Sequence, residues 1–286
     1  MSLWPAIRAA KDGVFHADHL LITVNGTAVP DPFGPGFAAD LGRELDRVAE
    51  GLYYWQPIGY PAATFPMRPS IEAGRQAVNL QIDNNPHRKI AMSGYSQGAL
   101  VVNGVWRDDI LNPDGRLHHR LGDVLAIINY GDPMRCPGVA NGNKYAGQPM
   151  PKKLSGHTTG GIAGPGCLTK AETPDFLLSF ANDGDLYAAA PVGDNPWEQE
   201  TEVGHNETMI YEAVMDFDGE DIMALMKEFV EILSMPLTQV IPLVQAIWNG
   251  LTFLGQGPRA PHWTYDIRPG VRYLIERAIE VPAIVS

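Results

Sequence analysis

One short stretch offers a nucleophile. Gly94-Tyr95-Ser96-Gln97-Gly98 matches the pattern G-x-S-x-G. In a chain with 30 glycines the pattern alone says little. Its context says more. The apolar run Lys89–Gly94 leads into it, and Ser96–Ile110 leads out with Leu100, Val101, Val105 and Ile110 at helical spacing. A serine between strand and helix sits on a sharp turn with its hydroxyl exposed. Glycines two before and two after leave room for that turn. A helix starting at the serine points its positive end at a reacting carbonyl oxygen. The bland reading is an N-cap serine on an ordinary crossover helix; the flanking pattern favours the nucleophile.

A serine needs a base, and the base an orienting acid. Behind such a turn the chain order is serine, acid, histidine. Five of the eight histidines follow Ser96. His118 and His119 lie in the polar stretch NPDGRLHHRLGD, which reads as solvated surface. His157 lies in a Gly-rich loop, and His205 in an acidic segment that reads as exposed. His262, in RAPHWTYD just before the last helical pattern, is the expected base. The run Asp175–Ala181 ends at Asn182-Asp183-Gly184-Asp185, which offers two carboxylates for the acid. Asp132, in NYGDP, offers a third. All three also suit turn capping, and position alone does not choose among them.

These residues need a scaffold. Nearly continuous apolar runs at His19–Asn25, Leu52–Pro57, Lys89–Gly94, Val124–Tyr130 and Asp175–Ala181 read as strands covered on both faces. Helical patterns at Phe37–Leu52, Ser70–Asn84 and Ser96–Ile110 alternate with them. The expected fold class is α/β, a doubly wound five-stranded parallel sheet. Its core would span residues 15–194. Between Glu198 and Glu231 eleven acidic residues meet one base, Lys227, and helical patterns follow at Gly219–Met235 and Leu237–Leu254. Residues 195–258 therefore read as a helical insertion, and 259–286 as the return to the core with a last helix ending in the run Val271–Ile279.

Composition narrows the function classes. The 286 residues are 45% hydrophobic and 19% charged, with a net charge of −12. A basic surface for nucleic acid is excluded as a working expectation. The sequence shows no signal-peptide pattern and no uninterrupted apolar run long enough to span a bilayer. Serine-based hydrolysis needs neither metal nor cofactor, and the acidic segment, lacking a D-x-D-x-D-G loop, reads as a solvated face rather than a calcium site. Cys136 and Cys167 read as free, packed thiols, although their Gly/Pro-rich surroundings leave a bridge open.

GYSQGA after an apolar strand resembles the nucleophile elbow of the cutinase-like serine esterases, of α/β-hydrolase fold. Their acid lies in a Gly-Asp-x-x turn, matched by Gly184-Asp185-Leu186-Tyr187; the resemblance thus favours Asp185 over Asp183. Their usual cysteine after that turn is absent. The chain is more closely similar to the lysin B family of mycobacteriophages, the mycolylarabinogalactan esterases. The matching pieces are Ile22–Thr27, Asp31–Phe37, Trp55–Pro61, GYSQGA, NYGDPMR and the late His262.

The resemblance implies hydrolysis of the mycolic acid–arabinogalactan ester, and an oxyanion hole from the N–H groups of Gln97 and Thr27. It also implies a lipid ester of the mycobacterial wall as substrate, with no stable protein partner. The enzyme would be made in the host cytoplasm and reach the outer envelope once phage action breaks the membrane. Within the insertion, an apolar stripe including Val244, Trp248, Leu251 and Phe253 is read either as core or as the second wall of an acyl groove. A lipase of broader ester specificity, an acyltransferase with the same triad and an inert wall-binding protein are the competing readings.

Overall fold

The computed structural model describes residues 19–64, 66–154, 156–198, 211, 215 and 260–281. Five parallel strands form one sheet: β1 (His19–Val24), β2 (Tyr53–Ile58), β3 (Ile90–Tyr95), β4 (Val124–Tyr130) and β5 (Leu177–Phe180), in the order β2-β1-β3-β4-β5. Side chains alternate across a strand. Leu20, Ile22 and Val24 of β1 therefore face one core and Leu21 the other. The first core packs beneath α2 (Met67–Asp83) and α3 (Gln97–Gly104), through Val78, Ile82, Val101 and Val102. The second packs beneath α1 (Phe37–Ala49) and the last helix, α5 (Arg268–Glu280), through Leu41, Leu45, Leu274 and Ile275. The chain has the two-faced core of an α/β-hydrolase. Strand order reverses between β1 and β3, and at such a switch the loops diverge and leave a crevice at the carboxyl ends of the strands.

Three expectations need correction. The helix expected over Ser96–Ile110 is α-helical only to Gly104 and continues as a π-turn over Val105–Leu111. The wider turn coincides with strong anchors: Trp106 is buried with its indole N–H on the Glu172 carbonyl, and Asp109 accepts from Arg75 and Asn79. The fifth strand is shorter than Asp175–Ala181, because its start is a turn closed by the Leu177 N–H on the Pro174 carbonyl. The stretch read as solvated surface around His118 hides Arg120, 4% exposed, which donates to the carbonyls of Ile82, Asn85 and Arg88 and pairs with Asp123. A short helix absent from the sequence reading, α4 (Asn141–Ala146), packs on β5. Cys136 and Cys167 are free and buried.

Candidate active site

Ser96 follows β3 directly and begins α3 with φ 54° and ψ −119°. A non-glycine residue pays for such a conformation, and here its neighbours hold it. The Ser96 N–H donates to the Tyr130 carbonyl at 3.0 Å. Packing explains both glycines of the motif. A methyl at Gly98 would lie 2.1 Å from the Val24 carbonyl oxygen, and one at Gly94 would lie 2.5 Å from the Gly98 carbonyl oxygen. As the first residue of α3, Gln97 has a backbone N–H that no intrahelical carbonyl can reach. Its side chain is anchored away from the serine, donating to the Ala63 carbonyl at 2.8 Å and accepting from the Ser70 hydroxyl.

Thr27 stands across the crevice, in the loop leaving β1. Asn25 braces that loop: its amide donates to the carbonyls of Asp31, Pro32 and Gly34, and its Oδ1 accepts from the Ala39 N–H. Ala28 and Ala62 both have positive φ, and the Ala28 N–H donates to the Ala62 carbonyl at 2.8 Å. Thr27, Ser96 and Gln97 line one cleft together with Met67, Leu100, Pro133, Tyr187 and Tyr211. Leu100 and Tyr211 also border a neighbouring cavity of about 270 Å³, which Met134, Met215 and Arg75 help to line. Tyr211 lines both the cleft and the cavity, and Met215 the cavity. Val244, Trp248, Leu251 and Phe253 lie outside the described residues.

His262 sits in the turn Pro261–Trp263, 4% exposed. Its Nδ1 lies 2.8 Å from Asp185 Oδ2. Its ring stacks on Tyr95, the residue before the serine, with centroids 5.1 Å apart, and packs against Tyr187 at 4.7 Å. The Tyr95 hydroxyl donates to the His262 carbonyl at 3.1 Å. Gly131, with φ 57°, lies beneath the ring, where a methyl would come within 2.5 Å of His262 Cε1. On the far side the Asn182 amide donates to the Pro261 carbonyl at 2.8 Å.

Of the three aspartates, Asp185 is the one bonded to the imidazole. Its Oδ2 also accepts from the Tyr265 hydroxyl, and its Oδ1 from the N–H groups of Tyr187 (2.9 Å) and Ala188 (3.4 Å). Burial pushes its carboxyl up. The facing His262 charge and hydrogen bond, with the Tyr265 and Tyr187 donors, outweigh burial and hold it below the ordinary carboxylate range. An ionised carboxylate only accepts, so the Nδ1 hydrogen faces Asp185 and Nε2 becomes the basic nitrogen. Asp183 is exposed and caps the Lys152 N–H at 2.7 Å. Asp132 is buried and accepts from Asn103, Met134 and Ser179, tying α3 to β5; burial raises its carboxyl. His119 and His157 are exposed, His118 contacts the Ile110 carbonyl, and His205 lies outside the described residues.

The sequence reading missed Tyr265. It lies three residues after His262 in an aromatic cluster, where no spacing separates a packed tyrosine from one bonded to an acid. Gly131 was equally silent, since a glycine after a strand usually means only a turn.

No protein-family model matches the chain. Endolysin B of Mycobacterium phage L5 is 37% identical over 263 residues, which are 89% of this chain and 97% of that protein. Endolysin B of Mycobacterium phage D29 is equally similar, at 37% over 263 residues. The crystal structure of lysin B from Mycobacteriophage D29 superposes with a TM-score of 0.70 at 35% identity, covering 90% of this chain and 99% of that one. Sequence likeness and fold agree over nearly the same share of the chain: it belongs to the endolysin B family and is a carboxylic ester hydrolase of phage lysis.

Proposed function

We propose that this enzyme cleaves the ester joining mycolic acids to arabinogalactan, through an acyl-serine, and that Ser96, His262 and Asp185 carry the reaction. His262 Nε2 takes the Ser96 Oγ proton as Oγ attacks the ester carbonyl. The N–H groups of Gln97 and Thr27 hold the oxyanion. Asp185 holds the imidazolium. As the tetrahedral species collapses, His262 returns the proton to the departing sugar oxygen. Water, deprotonated by the same nitrogen, then releases the fatty acid and restores the serine. The enzyme acts on the outer envelope after phage action has opened the host membrane.

The observation that most supports this reading is the buried 2.8 Å bond between His262 and Asp185 beside the Ser96 turn, in a chain of the endolysin B family. The test is lipid release from purified mycolyl-arabinogalactan, paired with a chain-length series of p-nitrophenyl esters. The expected result is free mycolic acid with the native chain and none with Ser96→Ala. Turnover of p-nitrophenyl esters without release from the wall material would sink the substrate and keep the esterase. Transfer of the acyl group to an added sugar in place of water would move the enzyme to the acyltransferases.

A further inference from the structure

The substrate reading concerns one ester bond, yet such lipids occur as layers. Among the described residues eight large apolar side chains are exposed, and four of them lie in loops at, or tied to, the carboxyl ends of the strands. Phe33 (61% exposed) lies in the loop that follows β1 and carries Thr27. Trp263 (37%) is the neighbour of His262. Met150 (40%) and Leu154 (44%) lie in the segment Pro149–Leu154, which is fastened to the acid loop. The Lys152 N–H donates to Asp183 at 2.7 Å, and Asn143 bonds both the Pro149 and the Ala181 carbonyls. By contrast, exposed Leu80 and Ile279 sit near the ends of α2 and α5, at the opposite edge.

Charge marks the same segment. From Pro133 to Ala171 there is no Asp or Glu, although the chain as a whole carries −12. Within that stretch Lys144, Lys152 and Lys153 are exposed. The Lys152 side chain is 87% exposed and reaches Asp183 at 3.3 Å. In Met150-Pro151-Lys152-Lys153-Leu154 two apolar side chains flank two ammonium groups. Such a pattern suits an interface with acyl chains below and anionic head groups at its surface; lysine stems lie along the apolar layer and their heads stay in the polar one.

We propose that Pro149–Leu154, tied to the acid loop at the same end of the sheet as Trp263, is an interfacial anchor that seats the active-site edge on an anionic lipid layer. The inference rests on the lipid-ester reading above and adds how the enzyme meets that lipid. Ser96→Ala protein, which cannot consume a lipid ester, is floated with vesicles of phosphatidylcholine and phosphatidylglycerol. It should float with them, float less with phosphatidylcholine alone, and be released by salt. Adding Met150→Ser and Leu154→Ser should cut the bound fraction by about tenfold. Adding Leu80→Ser and Ile279→Ser instead should leave it unchanged. In the catalytically intact chain, the Met150/Leu154 pair should retain turnover of dissolved p-nitrophenyl butyrate, which also reports that the fold is intact. Failure of the Ser96→Ala parent to float, unaltered flotation of the loop pair, or an equal loss in the Leu80/Ile279 pair would each overturn the anchor. Flotation without lipid release from mycolyl-arabinogalactan by the intact chain would instead remove the substrate reading and leave the anchor standing.

Discussion

An ionised carboxylate in a protein interior must be matched by donors, or it takes up a proton. Asp185 is matched by four: His262 Nδ1, the Tyr265 hydroxyl and two backbone N–H groups. Asp185→Asn would present the imidazole with a group able to stabilise the wrong tautomer. Turnover is expected to fall about ten-thousand-fold, whereas exposed Asp183→Asn should stay near wild type. Steady-state kinetics on p-nitrophenyl butyrate distinguish the two. Tyr265 works through Asp185. Removing its hydroxyl leaves the same oxygen more negative and strengthens its hold on the imidazolium. Tyr265→Phe should therefore move the acidic limb of kcat/KM to higher pH, with a modest loss of kcat. An unshifted limb would reduce Tyr265 to packing. The choice of acid was not legible from position in the sequence, because Asp183 and Asp185 share one turn. Which of them points inward depends on the φ of 78° at Gly184, a backbone angle that composition does not encode.

At the scale of elements, the strands were legible because each is a short apolar run between turn residues, and burial on both faces leaves little room for polar ones. The end of α3 was not, since the π-turn answers to distant partners such as the Glu172 carbonyl. Gly131 joins β4 to the site, and Gly131→Ala forces a methyl against His262 as well as an unfavourable φ. The variant should lose about a hundredfold in kcat, as expected for a displaced base, and several degrees in Tm. Calorimetry and kinetics on one preparation test both. Lys89, Arg120 and Asp123 fasten the start of β3 to the turn before β4. Partial burial pushes the Asp123 carboxyl up, but bonds from Lys89 and Arg120 bring it below its ordinary value. A carboxylate depressed on folding contributes stability that is complete above its unfolded pKa and is lost as pH falls through the folded one. Asp123→Asn should accordingly lower Tm at neutral pH, and the gap should close in acid, below the usual carboxylate range.

For the molecule as a whole, Cys136 and Cys167 act as reporters. Both thiols are buried, and burial pushes both above the ordinary thiol range. Thiolate is the reactive form, so a thiol reagent should label neither in the native protein and both after unfolding. Labelling in denaturant should then track loss of ester turnover. Reaction of one thiol at native rates would reveal a local opening around residues 136–167 instead.

Order along the chain has a temporal consequence. Serine turn, carboxylate and imidazole arrive at residues 96, 185 and 262, and the hydrogen bond locking the histidine loop to Tyr95 spans 167 positions. A ribosome stalled after the serine turn but before codon 262 has made the nucleophile without its base. The synthesis clock thus ends in a single step, with no partly competent nascent enzyme before it. During refolding, contacts of such separation form late. Ester turnover should therefore return with the slowest phase of recovery, after the signal of the buried Trp106 is already native.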